Sequence, residues 1–295
     1  MPDARVVGIT GAGGYVGTVL TRHFRQAGWH VVALQRSAPA DPAVEHRPYD
    51  LTSAPGPALF EGLDALVHCA YDLRLIDEAE IRRVNLLGTE RLFEAARTAG
   101  VGSLVLISSM SAYEGTTQIY GRTKLACEHL TTQLGGTSLR LGLVYGDGGG
   151  GMAGALTTLA TLPVAPVLRP EPYQYTVHED DMARCVLSVT AQRPVTTRMA
   201  GVANGRRVPF DEVLRGLRRS ATGSASMRVA PVPGRLLGTA LRLAERSGLR
   251  LPFRADSLDG LVRPAPAVPN IDLWTQRRIT LRDYADHMLG AAPEA

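Results

Sequence analysis

Lysine is almost missing from this chain: Lys124 stands alone against 31 arginines in 295 residues. Arginine therefore serves wherever either base will do, and the one exception, in Tyr120-Gly-Arg-Thr-Lys124, marks a place that needs a compact ammonium on a flexible stem. No run of about 18 apolar residues occurs, which excludes a membrane-spanning helix. No basic leader precedes Val6-Val7-Gly8-Ile9, so a cytoplasmic protein without membrane contact is expected. Cysteine is scarce as well. Cys69, Cys127 and Cys185 are isolated and odd in number, which suits buried thiols in a reducing compartment and argues against disulfides or a metal site. At 31.6 kDa and 45% hydrophobic, the chain is long enough for one large domain or two interleaved ones.

The net charge of +4 hides an asymmetry. Residues 1–200 carry 17 basic and 19 acidic side chains, whereas residues 201–295 carry 15 and 9. Between Arg215 and Arg254, nine arginines face the single acid Glu245. Within that stretch Leu236, Leu237, Ala240, Leu241, Leu243 and Ala244 have helical spacing. A solvated helix face and a site for an anionic substrate are the main readings of this excess. Without lysine clusters or interleaved aromatics, nucleic acid is not an expected partner.

The start of the chain reads as a βαβ unit: strand Arg5 to Thr10, glycine turn Gly11-Ala12-Gly13-Gly14-Tyr15-Val16-Gly17, helix Val16 to Ala27, strand His30 to Leu34. Gly11, Gly14 and Gly17 let the backbone turn tightly and approach a pyrophosphate, whose charge is favoured at a helix N-terminus. Gly11, Gly13, Gly14, Tyr15, Val16 and Gly17 are thus candidate dinucleotide contacts. The second strand ends in Gln35-Arg36, where an acid would hold the ribose 2'-hydroxyl of NAD. Arg36 pairs better with a 2'-phosphate, so NADP(H) is expected ahead of NAD(H). The alternative is that Arg36 stacks on the adenine or faces solvent.

Further along, apolar strands alternate with helical stretches: Ala65 to Cys69, Glu80 to Ala99, Ser103 to Ser108, Tyr120 to Gln133, Ser138 to Tyr145. Such alternation implies an α/β, Rossmann-type doubly wound parallel sheet, with ligands beyond the carboxyl ends of its strands. Ser109 and Ser111 follow one strand, and Tyr120 and Lys124 lie one turn apart on the next helix. A phenol titrates near about pH 10 in isolation, and a neighbouring cation favours its ionised form. Tyr120, Lys124 and Ser109 are therefore candidates for proton transfer to a carbonyl oxygen beside a nicotinamide, with Ser111 competing with Ser109.

Thr10-Gly-Ala-Gly-Gly-Tyr-Val-Gly17, Asp50-Leu51, Val67-His68-Cys69-Ala70, Asn85 with Gly88-Thr89, Ile107-Ser-Ser109, Tyr120 with Lys124, Leu139 to Gly146 and Val177-His-Glu-Asp-Asp181 together resemble the extended short-chain dehydrogenase/reductase family of epimerase/dehydratase type. The resemblance covers residues 5–205. It implies that Asp50 and Leu51 approach the adenine, that Cys69 and Ala70 join the cofactor contacts, that Asn85 supports the active-site helix and that Lys124 also binds the nicotinamide ribose. It further implies a smaller C-terminal substrate-binding lobe. On that basis residues 1–146 and about 178–203 form the NAD(P)-binding domain, and 147–177 and 204–295 the lobe. A homodimer through the helices over Glu80 to Ala99 and Tyr120 to Gln133 is a family habit.

Departures from the family pattern narrow the activity. Met110-Ser111 stands where nucleotide-sugar dehydratases carry an Asp-Glu pair, the stretch from Tyr113 to Tyr120 is short, and Gln174 replaces an arginine that contacts a diphosphate. Ser111, Tyr113, Tyr145, Gln174 and His178 are the substrate-binding candidates, and the C-terminal arginines an alternative diphosphate clamp. The glycine-rich Gly146 to Gly151 suits a mobile flap or a plain crossover. Pro163 to Pro172 reads as irregular, Pro264 to Pro269 as an extended connection, and Leu281 to Leu289 as a terminal helix. The expected activity is NADPH-dependent reduction of a ketone on a sugar or natural-product intermediate. Epimerisation with retained cofactor is the alternative, and a dinucleotide-sensing regulator a minor one.

Overall fold

The computed structural model describes residues 4–147, 149–192, 197–234, 237–239, 243 and 255–290. Strands and helices alternate as β1 (Val6–Thr10), α1 (Tyr15–Gln26), β2 (His30–Gln35), β3 (Glu45–Pro48), β4 (Ala65–His68), α2 (Glu78–Ile81), α3 (Leu87–Thr98), β5 (Ser103–Ser109), α4 (Ile119–Gln133) and β6 (Thr137–Leu141). Next come β7 (Leu143–Tyr145), α5 (Gly151–Ala160), β8 (Ala165–Arg169), β9 (Tyr173–Gln174), β10 (Thr176–His178), α6 (Glu179–Thr190) and β11 (Met199–Val202). β12 (Val208–Pro209), α7 (Phe210–Thr222), β13 (Val229–Pro233), α8 (Ala255–Val262), α9 (Asp272–Gln276) and α10 (Tyr284–Leu289) complete the described elements. None of these helices is long and apolar enough to cross a membrane.

Seven strands form one sheet in the order β11-β6-β5-β4-β1-β2-β3, and every pairing in it is parallel. Its central strands are buried on both faces, which is why they read as apolar runs without alternation. On one face Val19, Leu20 and Phe24 of α1 and Met182, Val186 and Val189 of α6 cover Val7, Ile9 and Val105. On the other, Leu92, Phe93 and Ala96 of α3 and Cys127 of α4 cover Leu34, Leu66 and Leu104. A separate core joins α5, α7 and β8 through Leu156, Val167, Phe210, Val213 and Leu217.

Three local expectations change, and one strand is added to them. Edge strand β3, Glu-His-Arg-Pro, is too short and polar to betray itself by alternation. The single strand expected over Ser138 to Tyr145 breaks at Gly142: the Gly142 N–H still donates to Val202 O, but the Leu143 N–H donates to Tyr175 O, so β7 leaves the main sheet and pairs with β10. The proline-bounded stretch after Pro163 contains β8, which pairs in parallel with β13. The last concerns domain boundaries. Residues 271–281, assigned with the lobe, return to the Rossmann core, where Trp274 is only 1% exposed and donates from Nε1 to Gly201 O at 2.6 Å. Burying so large a ring contributes on the order of 5 kcal/mol, which binds this segment to the sheet rather than to the lobe.

Most of the expected helix of the arginine-rich stretch, and five of its nine arginines, lie outside the described residues. Three of the arginines that are described make contacts within the fold. Arg218 donates to Ala160 O and Leu162 O at the end of α5, Arg219 to Leu289 O, and Arg215 pairs with Asp211.

Candidate active site

The carboxyl ends of β1, β2 and β4 open onto a cavity of 810 Å³ lined by Gly11, Gly13, Gly14, Arg36, Asp50, Leu51, Cys69 and Ala70 among others. Its floor is built for a close ligand. Gly11 has φ +64, and a Cβ there would lie 3.0 Å from the Ala70 backbone; a Cβ on Gly17 would lie 2.2 Å from Gly11 O. Gly17 thus lets α1 sit against the turn, while Gly14, the N-cap, adds no side-chain cap and the first turn holds no acid. The free N–H groups at that helix end suit an anion, so the residues present fit a dinucleotide pyrophosphate.

At the far end of β2, Arg36 is 64% exposed at its side chain and its Nε lies 3.8 Å from Asp50 Oδ2. Hydrogen bonds from the Thr52 hydroxyl and N–H hold the Asp50 carboxyl below its usual range. Gln35 donates to Ser37 O and lies over Gly13.

Past β4 the wall is made by Tyr71, which the sequence reading missed because nothing around it is periodic. Its ring meets the Tyr120 ring edge to face at 5.0 Å, and burial pushes its hydroxyl pKa upward. Lys124 is 4% exposed, donates from Nζ to Ile107 O at 2.8 Å and sits 5.0 Å from the Tyr71 ring and 6.0 Å from the Tyr120 ring. Among the described residues no carboxylate pairs with it. A buried ammonium with only a carbonyl and two aromatic faces keeps donor capacity for a ligand. Ser109, at the end of β5, accepts at Oγ from the Ser111 N–H at 3.1 Å, which leaves its own hydroxyl proton to donate. Tyr120 and Lys124 therefore meet beside Tyr71, which lines the cavity, and Ser109 ends β5 two residues beyond Ile107, whose carbonyl holds Lys124.

Two supports behind this edge are buried. His68 bridges Thr10 Oγ1 at 2.6 Å and Thr89 Oγ1 at 2.9 Å, while Thr10 Oγ1 accepts from the Cys69 and Ala70 N–H groups. Burial, helped by the Lys124 charge, pushes the His68 imidazole down to about 3, and burial pushes the Cys69 thiol up to about 12. Glu128 of α4 accepts from Ser108 at 2.5 Å and from Arg140 Nε and Nη2 at 2.9 and 2.7 Å.

Several expected contacts fall elsewhere. Asn85, in a π-helical turn over Arg82–Leu86, turns its amide to Asp72, accepting from its N–H at 2.7 Å; its carbonyl meets Thr89 and, at 4.0 Å, Cys127 Sγ of α4. The side chain thus pins the loop carrying Tyr71, and only the backbone supports the active-site helix. Tyr15 turns its hydroxyl to Glu179 at 2.7 Å, and its ring supports the glycine-rich segment, since a Cβ on Gly150 would lie 2.7 Å from it. Gly151, at the end of that segment, begins α5.

The substrate candidates separate. Ser111 stays with Ser109, and Tyr113 donates to Arg263 O at 3.1 Å on the adjoining wall. Gln174 is spent on Leu261 O at 3.2 Å. Tyr145 is fully buried in ring contact with His178 and Tyr284. His178 lines another cavity, of 730 Å³, with Arg22, Asp180 and Arg282 between α1 and α6, where burial and then the Arg282 charge lower its pKa. Gln174, Tyr145 and His178 thus each have partners within the fold.

Comparison with known proteins gives the same picture. Residues 7–192 match the model of the NAD dependent epimerase/dehydratase family. The chain is 30% identical over 250 residues to a ceramide reductase of Caulobacter vibrioides, covering 81% of this chain and 78% of that protein. Among solved structures it is similar to a UDP-N-acetylglucosamine 4-epimerase from Bacillus cereus (TM-score 0.65, 20% identity, 77% of this chain and 86% of that one). It is also similar to the terminal R domain from the myxalamid PKS-NRPS biosynthetic pathway (TM-score 0.71, 16% identity, 96% and 88%). With its parallel sheet, its glycine turn and a family match across most of the Rossmann unit, this chain belongs to the NAD dependent epimerase/dehydratase family, the extended short-chain dehydrogenases/reductases.

Proposed function

We propose that this protein is an NADPH-dependent reductase of a ketone, with Tyr120 as proton donor. The observation that carries the reading is Lys124, a buried ammonium without a carboxylate partner among the described residues, one helical turn from Tyr120. When bound, the dinucleotide supplies the hydride. Ser109 donates a hydrogen bond to the substrate oxygen, Tyr120 delivers the proton to it, and Lys124 binds the ribose hydroxyls and favours the phenolate left behind. Arg36 and Ser37, at the adenine end of the cavity, hold the 2'-phosphate that distinguishes NADPH.

The substrate we favour is a ketone on a largely apolar or neutral molecule rather than a nucleotide sugar. Gln174, Arg218 and Arg219 each donate to a backbone carbonyl of the fold, which supports this reading. Met110, the residue after Ser109, packs with Tyr113, Tyr173 and Tyr175 in one apolar cluster. A reductase reading also agrees with the relative that spans four-fifths of the chain, a ceramide reductase.

The test is turnover of a ketone panel, keto-lipids and keto-sugars included, with Tyr120→Phe as the control. The phenol-to-phenyl change removes only the proton donor, so turnover drops about 100- to 10,000-fold while NADPH binds as before. Wild-type turnover in that variant sinks the assignment. Tightly retained, stoichiometric dinucleotide in the purified protein, with no net oxidation of NADPH, would move epimerisation to the front.

A further inference from the structure

Helix α4 carries both Tyr120 and Lys124, yet it supplies no cap of its own. Gln118 at the N-cap makes no side-chain bond to the helix, and the first turn contains no acidic residue. A helix start leaves its first N–H groups without partners, and here they belong to Ile119 and Tyr120 themselves. Both are taken by one carboxylate from the other end of the chain: Asp256 Oδ1 accepts from Ile119 N at 2.7 Å and Oδ2 from Tyr120 N at 3.1 Å. Asp256 lies at the start of α8, more than 130 residues away.

The rest of α8 is fitted to the same loop. A Cβ on Gly260 would lie 2.8 Å from the Gln118 amide, so only the bare backbone approaches there. Arg263 donates to Thr117 Oγ1 at 2.7 Å and accepts at its carbonyl from Tyr113. Leu261 O receives the Gln174 amide, which ties α8 to β9. Leu261 itself is buried in the core of the C-terminal lobe. The contacts thus form one line from lobe core to Tyr120.

We infer that Asp256 is a positioning residue: it caps α4 across the lobe boundary and sets the placement of Tyr120 according to how α8 is seated. A negative charge at a helix N-terminus is favourable, and a bidentate carboxylate fixes the angle of the first turn as well as satisfying it. Displacing α8 by an ångström, as an ill-fitting substrate in the lobe would do, loosens the cap and moves the proton donor. Fit in the lobe is thereby converted into rate at the carbonyl, through a side chain that touches neither substrate nor cofactor. The inference rests on the reading of Tyr120 as proton donor.

The experiment compares the full-length wild type with Asp256→Ala and Asp256→Asn by amide hydrogen exchange and by steady-state kinetics on the ketone that the wild type reduces. In Asp256→Ala, exchange at the Ile119 and Tyr120 amides rises about tenfold or more, while peptides of β1 and β11 keep wild-type protection, which shows that the protein is folded. Turnover falls about 10- to 100-fold, the cost expected of a misplaced catalytic group. The KM for NADPH stays unchanged. Asp256→Asn, which keeps an acceptor oxygen, recovers most of both. Unchanged exchange at those amides in Asp256→Ala overturns the inference, and so does raised exchange with wild-type turnover. A wild type inert towards every ketone defeats the reductase reading separately, and the exchange measurement still decides the cap.

Discussion

Protonation of His68 is a strong lever on this fold, and its direction and size follow from five hydrogen bonds. Thr89 Oγ1 donates to Asn85 O, so it must accept from His68 Nε2–H; Nδ1 is then left to accept the Thr10 hydroxyl proton. Thr10 Oγ1 already receives the Cys69 and Ala70 N–H groups. A second proton on the ring would lie against an oxygen with no room for another donor, in a site 1% exposed and within the field of Lys124. The imidazole is accordingly pushed down from 6.5 to about 3. Between those values the unfolded chain binds a proton that the folded one refuses, so stability rises with pH across the window and is lost as pH falls. The slope is about 1.4 kcal/mol per pH unit, which makes the cost about 2 kcal/mol at pH 5.0 and negligible at pH 7.5. Urea unfolding of wild type and His68→Gln at those two pH values isolates the contribution. The variant is less stable at pH 7.5 because its bridge is imperfect, and the gap between the proteins closes by about 2 kcal/mol at pH 5.0. Equal losses in both proteins would show that His68 is not the proton-refusing group and that the bridge has been misassigned.

Three further outcomes are expected. Arg36→Ala lowers affinity for NADPH about tenfold to a hundredfold, the worth of a charged hydrogen bond, and leaves NADH affinity nearly unchanged in a fluorescence titration. Gly17→Ala drives a Cβ to 2.2 Å from Gly11 O, so calorimetry should show a loss of about 1–3 kcal/mol together with weakened dinucleotide binding. Glu128→Leu strands the buried Arg140 guanidinium and costs about 3–5 kcal/mol in denaturant melts, whereas Glu128→Leu with Arg140→Leu recovers much of it.

What could be read from the sequence was local. The glycine turn between Thr10 and Gly17, and the four-residue spacing from Tyr120 to Lys124, each lie within one element, so spacing alone places them together. The central strands are legible because burial on both faces leaves them apolar except near their ends. Edge strand β3 is not, since a four-residue polar strand held only by β2 has no apolar signature. The partner of Gln174 across the fold is invisible until Leu261 is in place beside it. Asp256 and Tyr71 were missed for the same reason: the cap comes from a distant helix, and Tyr71 matters only through the ring of Tyr120 that meets it.

The return of Trp274 to the sheet has a consequence for the order in which the molecule is made. A ribosome releases α6 and β11 some seventy residues before the indole that covers them, so the growing chain holds an unfinished apolar face around Val177, Met182 and Val202 while the lobe is still being synthesised. The nucleotide-binding half therefore cannot close as an independent unit ahead of the lobe. Truncation after residue 270 should yield an aggregating chain even though every strand of the sheet is present.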